Sequence, residues 1–347
     1  MKFLSNSVMK IFSGDMAIDL GTANTLVYTK KKGIIINEPS VVAISTTSRK
    51  KSPILAVGIE AKKMIGKAPR HIKVIRPMRD GVVADFDVTG AMLRHFIRMV
   101  HKGRLLARPR IIIAVPSGIT QVERRAVAEA GQAAGAREVI LINESMAAAI
   151  GAGLPVTEPT CNMVIDIGGG TTEVAIISLA GVVFSRTIRV AGDHMDTSIV
   201  QYVRRNYNLL IGERTAENIK VSIGNAYPEH KKLENIEVKG RDLATGIPKL
   251  LTIDSEEIRI AISEQIDAII ESVKLVLEQI PPELSVDIIE KGMVLTGGGA
   301  LLKNLSKILS EECAVPVSVI EDPLSSVVLG AGKVIENIEL LKKVTPE

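Results

Sequence analysis

The sequence predicts an α/β fold built from two homologous halves, and three stretches predict it. The first is Met163 to Leu179, MVIDIGGGTTEVAIISL: a strand-like run, a carboxylate, three glycines, two threonines and a second strand-like run. Val164, Ile165 and Ile167 before the glycines, and Val174, Ile176 and Ile177 after them, are β-formers, so Asp166 sits inside an apolar hairpin. The second is Ala17 to Tyr28, AIDLGTANTLVY, which repeats the device with Asp19, Gly21 and Thr22; superposing the two motifs aligns the aspartates. The third is Met293 to Leu301, MVLTGGGAL, a short apolar strand entering a turn and then a helix. A duplication at long period means two related domains, as does a length of 347 residues.

The chemistry of these stretches points to phosphate. An ionised carboxylate inside an apolar hairpin is costly unless a cation meets it. Gly168, Gly169 and Gly170 put no side chain in the way of an oxyanion approaching their N–H groups. A phosphate with a divalent cation satisfies both. Taken singly, the stretch reads equally as a Gly-rich turn with Asp166 as turn former; the repeat at Asp19 decides for the phosphate. Two such hairpins, each offering an Asp and a hydroxyl, suit a polyphosphate gripped from both sides with the metal between them.

Composition bounds the rest. Apolar residues make up 46% and charged residues 24%, a globular balance. Aromatic residues are 3% with no Trp, which leaves stacking on single-stranded nucleic acid poorly supplied, and a formal charge of +4 does not demand an anionic partner. Cys161 and Cys313 read as buried thiols in a reducing compartment. Neither Cys nor His spacing suggests a metal site. Without an apolar run long enough for a bilayer or a signal peptide, the expectation is a cytoplasmic protein.

Along the chain, Met1 to Phe12 places Phe3, Leu4, Val8, Ile11 and Phe12 on one half of a helical wheel, with Lys2 and Lys10 flanking them. This reads as an interfacial membrane anchor, or equally as a terminal helix packed on the body or a disordered start. Gly33 to Ile44 reads as one strand. Thr46 to Pro77 is a basic insert, by default a solvated face. A helix follows from Val88, and Leu105 and Leu106 stand together in the basic loop His101 to Arg110. Ile111 to Val115 is a buried strand, and Thr120 with Glu123 forms a capping box for a helix ending at Gly135. Strand Glu138 to Ile142 delivers Glu144 before the small-residue run Ala147 to Gly153. From position alone Glu144 is a helix N-terminal acid. Gly192 and Asp193 open a further helix, with Asp193 as its cap. Glu217 and Lys220 are spaced for an ion pair. Asp254 with Glu257 caps a long amphipathic helix over Ile258, Ile262, Ile266, Ile269, Val273 and Leu277, ended by Pro281 and Pro282. A last helix from Pro323 closes the second core.

Together DLGTANTLVY, NEPSVVAI (Asn37 to Ile44), IRPMRDGVVADF (Ile75 to Phe86), AAAIGAGLP (Ala147 to Pro155), DIGGGTTEVA, NLLIGERTAENIK (Asn208 to Lys220) and LTGGGALL resemble the MreB family of bacterial actins. That family lies within the actin, sugar kinase and chaperone-ATPase superfamily. The resemblance implies an actin-like duplicated ribonuclease-H-like fold, two domains each with a large and a small subdomain around a nucleotide cleft. The segments would be 1–12 as membrane-binding piece, 13–157 as domain I with small subdomain about 46–77, and 158–347 as domain II with small subdomain about 191–253.

It also implies roles. ATP and Mg²⁺ are the expected ligands, with Asp19 and Asp166 holding the metal through waters. Thr22, Ala23, Asn24, Gly168, Gly169, Gly170 and Thr171 would face the phosphates. Glu213, Glu217, Asn218, Ile219, Lys220, Gly297, Gly298, Gly299, Ala300 and Leu301 would meet the nucleoside side. Glu144 and Thr171 would position the hydrolytic water. In the family a Pro follows that Glu; Ser145 stands here, which leaves the hydrolysis rate open. The N-terminal residues and Leu105 with Leu106 would contact the inner face of the cell membrane. Expected partners are further copies in a filament, RodZ and cell-wall elongation proteins, with no nucleic acid. A sugar kinase would need a carbohydrate cleft with a base Asp, and a chaperone would need a peptide-binding domain after the core; neither is evident.

Overall fold

The structure, a computed structural model, describes residues 14–47, 54–101, 108–228 and 233–345. The membrane-contact residues expected at Phe3, Leu4, Val8, Ile11, Phe12, Leu105 and Leu106 lie outside them. The chain divides into two compact units: Met1–Pro159 with Ile177–Val182 and Ser325–Glu347, and Thr160–Ile176 with Val183–Leu324.

In the first unit a five-stranded sheet runs in the order β10-β9-β1-β2-β3. Its strands are β1 (Met16–Leu20), β2 (Asn24–Thr29), β3 (Gly33–Pro39), β9 (Arg110–Val115) and β10 (Glu138–Asn143). β1 pairs antiparallel with β2 and parallel with β9, and β9 parallel with β10. Ile111, Ile112 and Ile113 of β9 are all fully buried, the continuous apolar run of a strand covered on both faces. Between β3 and β9 the chain makes a small sheet of β4 (Val42–Ser45), β5 (Ile54–Val57) and β6 (Ile72–Ile75), with helix α1 (Ile59–Lys62), and then the hairpin β7 (Met78–Arg79) and β8 (Val82–Val83). The run read as one strand, Gly33 to Ile44, is therefore two strands in two sheets.

Helices α2 (Phe86–Val100) and α3 (Gln121–Ala133) pack on the large sheet through Met92, Leu93, Phe96, Val127 and Ala130. Thr120 makes the expected capping box, its Oγ1 accepting from Glu123 N at 3.2 Å while Glu123 Oε2 accepts from Thr120 N at 2.7 Å.

A second five-stranded sheet repeats the plan with β11 (Asn162–Ile167), β12 (Thr172–Ser178), β13 (Gly181–Ile188), β17 (Met293–Thr296) and β18 (Val317–Val319) in the order β13-β12-β11-β17-β18, and all of it but the 177–182 turn region belongs to the second unit. β11 corresponds to β1 and β17 to β9, and each pair is parallel. Asp19 stands opposite Ala114 and Asp166 opposite Thr296. A smaller sheet joins β14 (Leu209–Leu210), β15 (Asn235–Asp242) and β16 (Pro248–Asp254). The helices are α5 (Gly192–Tyr207), α6 (Glu213–Ile223), α7 (Ser255–Leu277), α8 (Pro282–Lys291) and α9 (Leu305–Cys313).

The α7 residues Ile258, Ile262, Ile266, Ile269 and Val273 are buried with Met163, Ile165 and Ile176 in one core. Asp254 Oδ1 accepts from Glu257 N at 2.9 Å and Asp254 N donates to Glu257 Oε2 at 3.0 Å. The proline pair does not end α7, which stops at Leu277; Pro281 is the N-cap and Pro282 the first residue of α8. Proline is suited to that position because its missing N–H has no helical acceptor there.

The C-terminal segment departs from the expected domain II. Helices α10 (Ser326–Glu336) and α11 (Ile338–Val344) belong with the first unit. The reason is local. α10 crosses α4 (Glu144–Gly151) so closely that a Cβ at Gly330 would lie 1.8 Å from Ala147 O, and one at Gly151 would lie 1.9 Å from Ser326 O. Lys333 Nζ donates to Ile150 O at 2.9 Å, and Tyr28 Oη donates to Glu336 Oε1 at 2.9 Å. The expected boundary at 157/158 falls at 159/160, and the chain returns to the first unit at Ser325.

Because backbone meets backbone at that crossing, the variant Gly330→Ala is expected to lose about 1–3 kcal/mol of stability. A lower urea midpoint in equilibrium unfolding checks it, with wild-type stability counting against the contact.

Candidate functional site

In the first unit the turn between β1 and β2 carries Gly21, Thr22 and Ala23. Gly21 is required sterically: a Cβ there would be 2.7 Å from Asn24 O. Thr22 is buried, and its Oγ1 accepts from Gly81 N at 3.0 Å, which orients the hydroxyl and leaves its proton to donate. Ser40 ties the turn from the other side. Its Oγ donates to Gly21 O at 2.7 Å and its N to Ala23 O at 2.9 Å. Neither Ser40 nor Gly81 was legible as a site residue. Both lie in motifs that carried the family resemblance, but no spacing rule brings them to this turn.

Asp19 is the penultimate residue of β1, between buried Ile18 and Leu20, and burial pushes its carboxyl from 3.8 up to about 7. A cation beside it would reverse that shift. Glu144 is the first residue of α4, directly after β10, and is half-buried. Asp19 pairs with Ala114 and Asn143 with Val115, so β9 alone separates the two strands that carry Asp19 and Glu144. Two interstrand spacings are about 10 Å. Both acids thus stand at the carboxyl ends of strands in one sheet, where open α/β sheets bind ligands.

In the second unit Asp166 is 5% exposed in β11. The glycine turn closes when Gly168 N donates to Thr171 O at 2.9 Å, so the Gly168 N–H is committed within the turn and is not a phosphate donor. Gly169 O accepts from Asp193 N at 2.8 Å, and Gly168 O from Gly192 N at 3.3 Å, docking the start of α5 on the turn. Asp193 is therefore not the cap; Ala191 is, with no side-chain bond.

The third glycine cluster comes to the same carboxylate. Gly297, at φ +80°, would place a Cβ 2.3 Å from Asp166 Oδ1 and 2.4 Å from Ile167 O, and Gly299 would place one 2.2 Å from Ile167 Cγ2. Its position is held by Pro323 O, which accepts from Gly297 N at 2.9 Å and Thr296 Oγ1 at 3.2 Å. Gly298, Gly299, Ala300 and Leu301 form a 3₁₀ turn in which Leu301 is exposed and Ala300 buried.

Of the α6 residues, Ile219 is 1% exposed and belongs to the core, so its side chain is not a ligand contact. Glu213 opens α6, with Glu217 and Asn218 further along it. Lys220 pairs across to the neighbouring helix: its Nζ lies 2.8 Å from Asp196 Oδ1 and donates to Gly192 O at 2.8 Å. Burial pushes the Asp196 carboxyl up to about 6 against the pull of the Lys220 ammonium. Lys220 thus anchors α5 beside the Gly168–Gly169 backbone.

Among the described residues no group of three or more His, Cys, Asp or Glu could cage a metal. A lone carboxylate such as Asp166 instead suits a hard divalent ion that keeps most of its waters, as Mg²⁺ does. The room that Gly297 leaves at Asp166 Oδ1 fits that reading.

The Asp196–Lys220 pair makes a pH prediction. Asp196 has a folded pKa above its ordinary 3.8, so below about pH 6 it is neutral and has no need of the cation. As pH rises through that value it ionises and the partner becomes necessary. The stability deficit of Lys220→Met is therefore expected to be larger at pH 8 than at pH 5, by about 1.5–3 kcal/mol. Urea midpoints of nucleotide-free protein at the two pH values measure it; a deficit independent of pH would contradict the pairing.

The MreB/Mbl protein family profile matches residues 13–343. The chain is 58% identical over 333 residues to the cell shape-determining protein MreB of Escherichia coli strain K12, covering 95% of each. It is 47% identical to the cell shape-determining protein Mbl of Bacillus subtilis strain 168, covering 96% of this chain and 99% of that one. Among solved structures, MreB5 of Spiroplasma citri bound to ADP superposes with a TM-score of 0.88 at 36% identity, covering 94% of this chain and 97% of the other. The MamK double helical filament superposes with a TM-score of 0.78 at 21% identity, covering 93% of this chain and 99% of that one, a likeness of fold. The fold is actin-like, and the chain belongs to the MreB/Mbl family.

Proposed function

We propose that this chain is an ATP-dependent, membrane-associated, filament-forming bacterial actin that maintains rod shape by organising peptidoglycan synthesis. The observation that carries the reading is the repeated device itself: in each unit a glycine turn follows directly on an Asp at the end of a central strand. MreB5 of Spiroplasma citri, which shares this fold, has been solved bound to ADP and to AMPPNP.

In this reading Asp19 and Asp166 hold the water shell of Mg²⁺, which when bound offsets the phosphate charge. Thr22, Ala23, Asn24, Gly169, Gly170 and Thr171 donate to the phosphates. Glu213, Glu217 and Asn218 face the ribose and base with the 297–301 turn, and Lys220 acts by holding α5. Thr171 and Glu144 orient the attacking water. Its oxygen bonds to the γ-phosphorus as the bond to the ADP oxygen breaks with its electron pair, and Glu144 accepts the proton. Hydrolysis serves filament turnover, so a low rate suffices. The filament lies on the inner face of the cell membrane and works with RodZ and cell-wall elongation proteins.

Glu144→Ala is expected to slow phosphate release by about 10²-fold or more while leaving ATP affinity nearly unchanged. Asp166→Ala should abolish Mg²⁺-dependent binding; equal loss of rate and affinity in the first variant, or normal affinity in the second, would count against these roles.

The assembly is tested by sedimentation with and without ATP, Mg²⁺ and anionic vesicles, with phosphate release followed on the same samples. Nucleotide-dependent pelleting is expected, with a vesicle-bound fraction that falls when Met1 to Phe12 are deleted. A soluble species releasing phosphate only when offered a sugar or a peptide would overturn the reading.

A further inference from the structure

The start of α4 holds a hydrogen-bonding group that the fold does not use. Ser145, the second residue of this eight-residue helix, is 0% exposed, and its Oγ has no hydrogen-bond partner among the described residues. Its neighbours in the helix, Met146, Ala147, Ala148 and Ala149, are as deeply buried and are apolar. An alanine would fill the same place without leaving a hydroxyl unmade, which is destabilising in a buried site. The helix end is also uncapped: Asn143 is the N-cap residue, yet its side chain makes no capping bond. Ser145 is thus a stability cost that packing does not explain, next in sequence to the carboxylate assigned to hydrolysis.

We propose that Ser145 is a positioning residue for hydrolysis: with nucleotide bound, its hydroxyl donates to the Glu144 carboxylate, directly or through one water. The bond fixes which carboxylate oxygen receives the proton of the attacking water, and the serine proton itself is not transferred. Glu144 is the first residue of the helix, where the backbone is tied on one side only, and the serine Oγ moves between staggered wells. Neighbouring helical side chains point apart in their resting rotamers, so in this proposal the Ser145 χ1 rotates toward Glu144 when nucleotide binds, while α4 stays in place. The inference rests on the assignment of Glu144 above.

The test is the variant Ser145→Ala in the full chain, read by equilibrium unfolding, ATP binding and single-turnover phosphate release. The urea midpoint is expected to stay level or rise, because an unmade buried hydroxyl is removed. ATP affinity should hold, while phosphate release slows about tenfold, the scale of one hydrogen bond. A purely structural serine would not move stability and rate in opposite directions. In the Glu144→Ala background the second substitution should have no further effect on the rate. Wild-type release by Ser145→Ala would overturn the proposal, as would equal slowing in both backgrounds, and either result leaves the role of Glu144 standing. Wild-type release by Glu144→Ala alone would instead remove the reading on which the proposal depends.

Discussion

A carboxylate at the end of a buried strand has to be approached by backbone, because side chains would fill the space that its counter-charge needs. That constraint organises the second unit. Asp166 lies in β11, its parallel neighbour β17 ends at Thr296, and the next residue passes so close to Asp166 Oδ1 that any Cβ would collide. Gly297 answers with a positive φ, a conformation glycine adopts without strain. The turn it opens is held by Pro323 O, and Gly299 follows where a side chain would strike Ile167. Gly297 and Gly299 of LTGGGALL are thus a consequence of where Asp166 and Ile167 stand.

The first unit meets the same constraint differently. Its turn has one glycine in place of three, and the closure comes from Ser40 and from the Gly81 N–H received by Thr22. These two partners lie on the segments by which the chain enters and leaves the small β4–β6 sheet. In the second unit the corresponding role falls to α5, whose first N–H groups dock on Gly168 and Gly169 and whose seat is kept by Lys220. Duplication preserved the strand, the carboxylate and the turn, while the buttress behind each turn diverged.

Glu144 is controlled from the other end of its helix. α4 is short, and short helices have little intrinsic stability. It is fixed by α10 through contacts too close for any side chain at Gly151 or Gly330, and by Lys333 on the carbonyls of Ile150 and Gly151. A positive charge at a helix C-terminus is favourable in itself. The segment 325–347 therefore supports the helix that carries Glu144, although it follows the second unit in sequence.

Local order determined much of this molecule. The duplicated hairpins, the capping boxes at Thr120 and Asp254, and the buried face of α7 follow from residue pattern because each depends on neighbours within a few positions. The placement of Asp19, Asp166 and Glu144 at strand ends follows too, since each closes or follows an apolar run. Tertiary structure alone decided the partners that close these sites: Ser40 and Gly81 on the first turn, Pro323 on the third, and Asp196 in place of Glu217 for Lys220. It also decided that Pro282 begins a helix and that Ser325–Glu347 returns to the first unit. Those outcomes depend on contacts between residues far apart in sequence, whose cost and gain no local spacing records. A glycine such as Gly330 states that something comes close; only the packed chain states that it is Ala147.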